Sequence, residues 1–306
     1  MVSPAYSARW YKSKDWHFDK DGDFVDKNGQ LFDFESQGEH YEYVQTQIKK
    51  HIYEELQHRF DFVRQPLPIS KFEGVSRDDS QCPQIFVTKD IQWNPDLLVI
   101  VQGLGEVPPG QWARKLFTNG ESGQWGLATQ FAYIQKALHR GWAVLLCDPN
   151  HDGNGPKTQH SRSRHVRRVW DDIISRSNAR CVMFVAFSAG TTATLDLYES
   201  LGQEFTNRVQ AIALLDGEDG TGRTVGKDGG RWLREHSWSF MNKNIPLQLV
   251  NQETVSTTDH DSVPGMAVGK VFEFLVECHS YFEATLLPDE FDRYKHCYVI
   301  RSAAEC

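Results

Sequence analysis

At 306 residues, with 40% hydrophobic and 24% charged residues and nine tryptophans, the chain has the composition of a globular protein with a large interior, not of a disordered one. A formal net charge of -8 argues against a protein that coats nucleic acid over its whole surface and leaves room for a local basic patch. No run of about 18 or more apolar residues offers a membrane span, and one principal domain is expected.

The N-terminus, "MVSPAYSARWYKSKDWHFDKDGDF", has basic residues but no apolar stretch, so it does not read as a secretory signal and an intracellular chain is expected. Asp21-Gly22 and Asn28-Gly29 then separate short runs holding Phe18, Phe24, Val25, Leu31 and Phe32, which is hairpin chemistry. Asp19, Asp21 and Asp23 alternate as in a calcium loop, but Gly22 falls at loop position 4 rather than 6 and no glutamate closes position 12. Tyr41, Val44, Ile48, Ile52 and Leu56 follow at spacings of three and four, one apolar stripe on a helix that packs this region onto the rest. Residues 1–70 are expected to form this hairpin-plus-helix extension, 71–285 the core, and 286–306 a tail.

From residue 84 the pattern changes to short apolar runs alternating with helical periodicity. Strands are expected at 84–88, 97–102, 143–147, 182–186, 209–215 and 247–250, and helices at 126–139, 165–177, 190–201 and 266–277. Strands without polar alternation suit a parallel sheet covered on both faces, so the fold class is α/β, a doubly wound and mostly parallel sheet. The six glycines of "GEDGTGRTVGKDGG", 217–230, predict a loop.

The stretch "FVAFSAGTTATL", 184–195, sets a serine between small residues at the junction of a strand and a helix. Ala186 and Gly190 supply the small neighbours that a nucleophile elbow needs, with alanine in place of the first glycine of G-x-S-x-G; the same pattern also makes an ordinary turn. In the elbow reading Ser188 is the nucleophile. Asp216, directly after strand 209–215, is the acid, and His260, in the loop after the last strand, is the base. Glu218, Asp219, Asp259 and Asp261 are alternative acids. The oxyanion hole comes from the amide of Ala189 and an amide of the loop "QGLGEVPPGQW", at Leu104. The cluster Lys157, Arg162, Arg164, Arg167 and Arg168 reads either as a contact for phosphate, nucleic acid or an acidic tail, or as a solvated loop entering a helix over buried Val166, Val169 and Trp170.

Cys82, Cys147, Cys181, Cys278, Cys297 and Cys306 show no metal-ligand spacing and are expected to be reduced thiols. No dinucleotide fingerprint or P-loop is present, so neither a metal nor another cofactor is expected.

The pieces "HIYEEL" (51–56), "NPDLLVIVQGLG" (94–105), "GQWARKL" (110–116), "GWAVLLCDPN" (141–150), "VWDDII" (169–174), "FVAFSAG" (184–190), "IALLD" (212–216) and the segment around His260 occur in a consistent order. In them the chain resembles the Argonaute-binding-protein-two (Arb-two) domain family. The resemblance implies an α/β-hydrolase-like fold, with Ser188, Asp216 and His260 at the hydrolase-type positions. It further implies an interaction module, a scaffold or adaptor with protein partners in an RNA-silencing or chromatin complex, and favours the nucleus without distinguishing it from the cytoplasm. An active serine hydrolase of esterase or amidase type is the alternative. Two positions depart from the family pattern: Gln102 stands where a histidine is usual before Gly103, and Phe187 where a histidine is common before the serine. Both flank the oxyanion hole and the nucleophile, so they bear on catalysis more than on the fold.

Overall fold

The computed structural model describes residues 16–38, 41–67, 84–105, 107–150, 158–217, 227–242, 251–288 and 290. A small antiparallel hairpin pairs β1 (His17–Phe18) with β2 (Phe24–Val25). The other strands among the described residues are β3 (Val63–Pro66), β4 (Gln84–Val87), β5 (Asp96–Val101), β6 (Ala143–Leu146), β7 (Cys181–Phe187), β8 (Val209–Leu215), β9 (Ser237–Met241) and β10 (Asn251–Thr254). They make one sheet in the order β10-β9-β8-β7-β5-β6-β4-β3. Every pairing from β10 to β6 is parallel, whereas β4 and β3 run antiparallel at one edge.

The sheet has two buried faces because β5, β6 and β7 are buried along their whole length. Leu98, Ile100, Val144, Leu146, Met183 and Val185 pack on one side against α1 (Tyr41–Glu54), α2 (Phe131–His139) and α6 (Val263–Thr285). Leu97, Val99, Val101, Leu145, Val182 and Phe184 pack on the other against α3 (Gln159–Val169), α4 (Ala189–Leu201) and α5 (Lys227–His236). The result is the doubly wound α/β-hydrolase-like fold. Val44, Ile48 and Ile52 of α1 and Leu56 just beyond it are fully buried, so this part of the stripe faces the sheet, while Tyr41 is half-buried.

Several elements differ from the sequence reading, each for a local reason. The single helix expected at 126–139 is two pieces, Trp125–Ala128 and α2, because Thr129 is extended and bridges to Gln111. The helix expected from 165 begins at Gln159, where Thr158 and Ser161 form a reciprocal capping box, and it ends in a π-helical turn over Trp170–Ile174. Of the loop expected at 217–230, Lys227–Gly230 belong to α5 and 218–226 lie outside the described residues. The strand expected at 247–250 lies outside the described residues. Three strands escaped the reading: β3 (VRQP) and β10 (NQET) are polar edge strands without an apolar run. In β9 the serines are buried, with the Ser237 hydroxyl donating to Leu233 O. Residues 63–66, read as part of the extension, are thus in the main sheet.

Cys147, Cys181 and Cys278 are free thiols, while Cys82, Cys297 and Cys306 lie outside the described residues. Among the described residues no helix is long and apolar enough to cross a membrane.

Candidate active site

Strand order reverses between β5 and β7, and the loops after such strands are where open α/β sheets bind ligands. Ser188 follows β7 with φ 51° and ψ -123°, a conformation that side chains rarely adopt and that sets the serine on the sharp turn of a nucleophile elbow. Its backbone N–H donates to Leu215 O at 2.9 Å, tying the turn to β8. The turn is possible because three glycines crowd it. A Cβ on Gly190 would stand 2.5 Å from Val101 O, one on Gly103 2.9 Å from Ser188 Cβ, and one on Gly217 2.5 Å from Ser188 O.

Asp216 directly follows β8, also at positive φ (42°), and its side chain is 7% exposed. One carboxylate oxygen accepts the Asn242 N–H at 3.0 Å and the other lies 2.6 Å from His260 Nδ1. That contact occupies Nδ1 and leaves Nε2 as the imidazole nitrogen available for proton transfer. Of the alternative acids, Asp259 is taken by Lys115 and Ser262, at 3.3 and 2.7 Å; Asp261 lines the cleft beside His260; Glu218 and Asp219 lie outside the described residues. Phe187, the family departure, lays its ring against the His260 ring at 4.7 Å and meets Trp112 edge-on at 5.9 Å. It therefore acts as an apolar platform for the imidazole.

The hydrogen bond to Asp216 raises the His260 pKa above its ordinary 6.5, against the opposing effect of burial. Two-dimensional NMR of the imidazole is accordingly expected to show titration above 6.5 in the native chain and a shift downward in Asp216→Asn. Because the folded-state value is raised, the stabilisation from this pair is complete below the unfolded pKa and disappears as pH rises through the folded one. A His260 midpoint unmoved by Asp216→Asn would refute the coupling.

Ser188 and His260 lie together on a cleft of about 1200 Å³, walled by Leu104, Trp112 and Arg114 of the loop after β5 and by Phe34 and Tyr41 of the N-terminal region. Among the described residues the Ser188 hydroxyl makes no hydrogen bond, so the two residues share the cleft without being joined. Leu104 is 62% exposed on the rim, and Ala189 is the first residue of α4, where backbone N–H groups lack intrahelical acceptors.

The loop bearing Leu104 is held from beneath by fully buried amides that sequence reasoning missed. Gln102 Nε2 donates to Val107 O and Asn150 Nδ2 to Gly103 O, both at 2.9 Å. Gln130 accepts from the Gly110 N–H and donates to Gln111 O, both at 3.1 Å. Gln102, the other family departure, is therefore a loop anchor. Nothing in the linear pattern distinguishes such a carboxamide from an exposed one.

The described arginines of the basic cluster do not share one surface. Arg162 is 2% exposed, its Nε donates to Asn150 Oδ1 at 3.4 Å, and burial lowers its pKa. Arg167 pairs with Asp171 at 2.9 Å, Arg168 donates to Leu67 O at 3.4 Å, and Arg164 is exposed. Lys157 lies outside the described residues. Val166, Val169 and Trp170 are buried beneath, and Arg162 and Arg164 are helical rather than in a loop.

With this geometry in place, comparison with known proteins gives a family match over part of the chain. Residues 151–247, which contain Ser188 and Asp216, match the Arb2 domain. Over that segment the chain is similar to the Arb2 domain family. A FAM172 family protein homolog of Caenorhabditis elegans is 32% identical over 205 residues, 66% of this chain and 63% of the relative. The cotranscriptional regulator ARB2A of Homo sapiens is 23% identical over 313 residues, 81% of this chain and 73% of the regulator. The chain thus spans less than two thirds of the nematode relative's length. Among solved structures the histone deacetylase Clr3 superposes with a TM-score of 0.51 at 15% identity, covering 76% of this chain and 38% of Clr3. At that identity the likeness concerns the fold.

Proposed function

We propose that this chain, similar over 151–247 to the Arb2 domain, is a regulatory adaptor that holds protein partners in a cotranscriptional, chromatin-linked or RNA-silencing complex in the nucleus. The observation that carries the reading is the extent of the match to the human cotranscriptional regulator, 81% of this chain. So long a match involves far more than the catalytic-type loops. The committed arginines of α3 argue for recognition of proteins over a phosphate backbone, since Arg162, Arg167 and Arg168 already bond groups of the chain itself. Tagged full-length protein at native abundance is expected to fractionate with nuclei and to co-purify stoichiometric subunits of a transcription or silencing complex. Cytoplasmic fractionation without any such subunit would overturn this reading.

A second reading, serine hydrolysis, is favoured by one specific arrangement: Ser188 on a strained elbow, with a hydrogen-bonded Asp216–His260 pair, beside an open cleft. In that chemistry Ser188 Oγ attacks an ester or amide carbonyl and passes its proton to His260 Nε2, which hands it to the departing alcohol or amine as the C–O or C–N bond breaks. Asp216 steadies the imidazolium, and the amides of Ala189 and Leu104 receive the oxyanion. Water then attacks the acyl-enzyme, giving a proton to His260 Nε2, which returns it to Ser188 Oγ as the acid product leaves.

A further inference from the structure

The two central strands carry a second cluster at the ends opposite Ser188. Asp96 opens β5 and Cys181 opens β7, and the parallel register makes their Cα atoms direct partners. Side chains alternate along a strand, so Asp96 lies on the face of Leu98 and Ile100, and Cys181 on the face of Met183 and Val185. That face is covered by α6, whose His279 places Nε2 3.0 Å from Asp96 Oδ1. One donor atom from each of the three residues falls within 4.8 Å of the others. Asp96 and Cys181 are fully buried, and the His279 side chain is 12% exposed. The imidazole is oriented on two sides: the Trp142 ring lies 5.2 Å away, and Nδ1 faces Glu283 Oε2 at 3.7 Å.

We propose that Asp96, Cys181 and His279 form a zinc site that ties α6 to the amino ends of β5 and β7. Three observations converge on this metal. The donors are one sulfur, one imidazole nitrogen and one carboxylate oxygen, a mixture that suits borderline-soft zinc and not calcium or magnesium, which take oxygen. In the loaded site a thiolate and a carboxylate carry two negative charges, which a divalent cation with a neutral histidine cancels in this buried place. Glu283 beside His279 Nδ1 is the carboxylate that commonly orients a zinc-bound imidazole from its second nitrogen.

On binding, the Cys181 thiol loses its proton to solvent as the sulfur–metal bond forms, and His279 keeps its remaining proton on Nδ1, facing Glu283. The fourth tetrahedral position is left to water. The ligands lie far apart in sequence, so linear spacing led to no expected metal. Only the strand register and the return of α6 bring them together.

The test uses the full chain, stripped with a chelator and titrated with zinc or cobalt(II). One equivalent of zinc is expected to bind and raise Tm. Cobalt(II) is expected to give a thiolate-to-metal absorption band that Cys181→Ser removes and Cys278→Ser retains. Glu283→Gln is expected to weaken zinc binding by about 10- to 100-fold, as loss of an orienting partner does. Ser188→Ala is expected to keep the full equivalent. A folded native chain that takes up no zinc at micromolar concentration, or His279→Ala protein that still binds one equivalent, would overturn the assignment.

Discussion

Native protein exposed to a fluorophosphonate is expected to be labelled on one residue, and Ser188→Ala to remove the label entirely. The probe tests the elbow directly, because Ser188 Oγ must displace fluoride from phosphorus while a base takes its proton. Ser188 is the serine held at positive φ beside the cleft, and His260 faces the same cleft with Nδ1 engaged by Asp216 at 2.6 Å. His260→Ala is therefore expected to slow labelling by on the order of 10²- to 10⁴-fold, the usual contribution of a positioned base. Label that persists in Ser188→Ala would exclude this serine. A folded native chain that takes no label would exclude hydrolysis and leave the adaptor reading intact, so one experiment separates the two.

Gly190→Ala is expected to destabilise the fold by about 3 kcal/mol, a fall in Tm of about 5 °C for a chain of this length. The added methyl would lie 2.5 Å from Val101 O and 2.8 Å from Gln102 O, both backbone atoms at the end of a central strand. Neither can move without disturbing β5 and the loop it feeds. Alanine is the better helix former by about 1 kcal/mol, so helix propensity opposes the loss and cannot offset it. Gly269→Ala is the control, since a methyl on this exposed glycine of α6 would meet nothing within 4 Å and only gains helix propensity. Thermal melting of the two variants should move in opposite directions. Equal stability of Gly190→Ala and native protein would refute the packing argument.

Much of the frame was legible in the sequence. The apolar runs at 97–102, 143–147, 182–186 and 209–215 all became interior strands, because a parallel sheet with two covered faces demands apolar residues at every position. The strand-to-helix turn at Ser188 was legible for a local reason: the small residues at 186 and 190 stand on the chain beside the serine itself. Strands β3 and β10 were not legible, because an edge strand has no interior to fill and its residues carry no apolar signal. The break at Thr129 and Gln130 was hidden too, since it depends on bonds to Gln111 and Gly110 across the loop.

The sequence by itself determined the fold class, the order of serine, acid and histidine, and the need for a small residue at 190, since each follows from composition or from immediate neighbours. Only the tertiary structure decided which of five acids meets His260. It also decided that Gln102 anchors a loop, that Phe187 backs the imidazole, that Arg162 is interior, and that Phe34 and Tyr41 wall the cleft. These depend on contacts between residues remote along the chain, whose geometry is set by strand register and loop closure. The same holds for Asp96, Cys181 and His279, which are adjacent only because β5 pairs with β7 and α6 folds back over both.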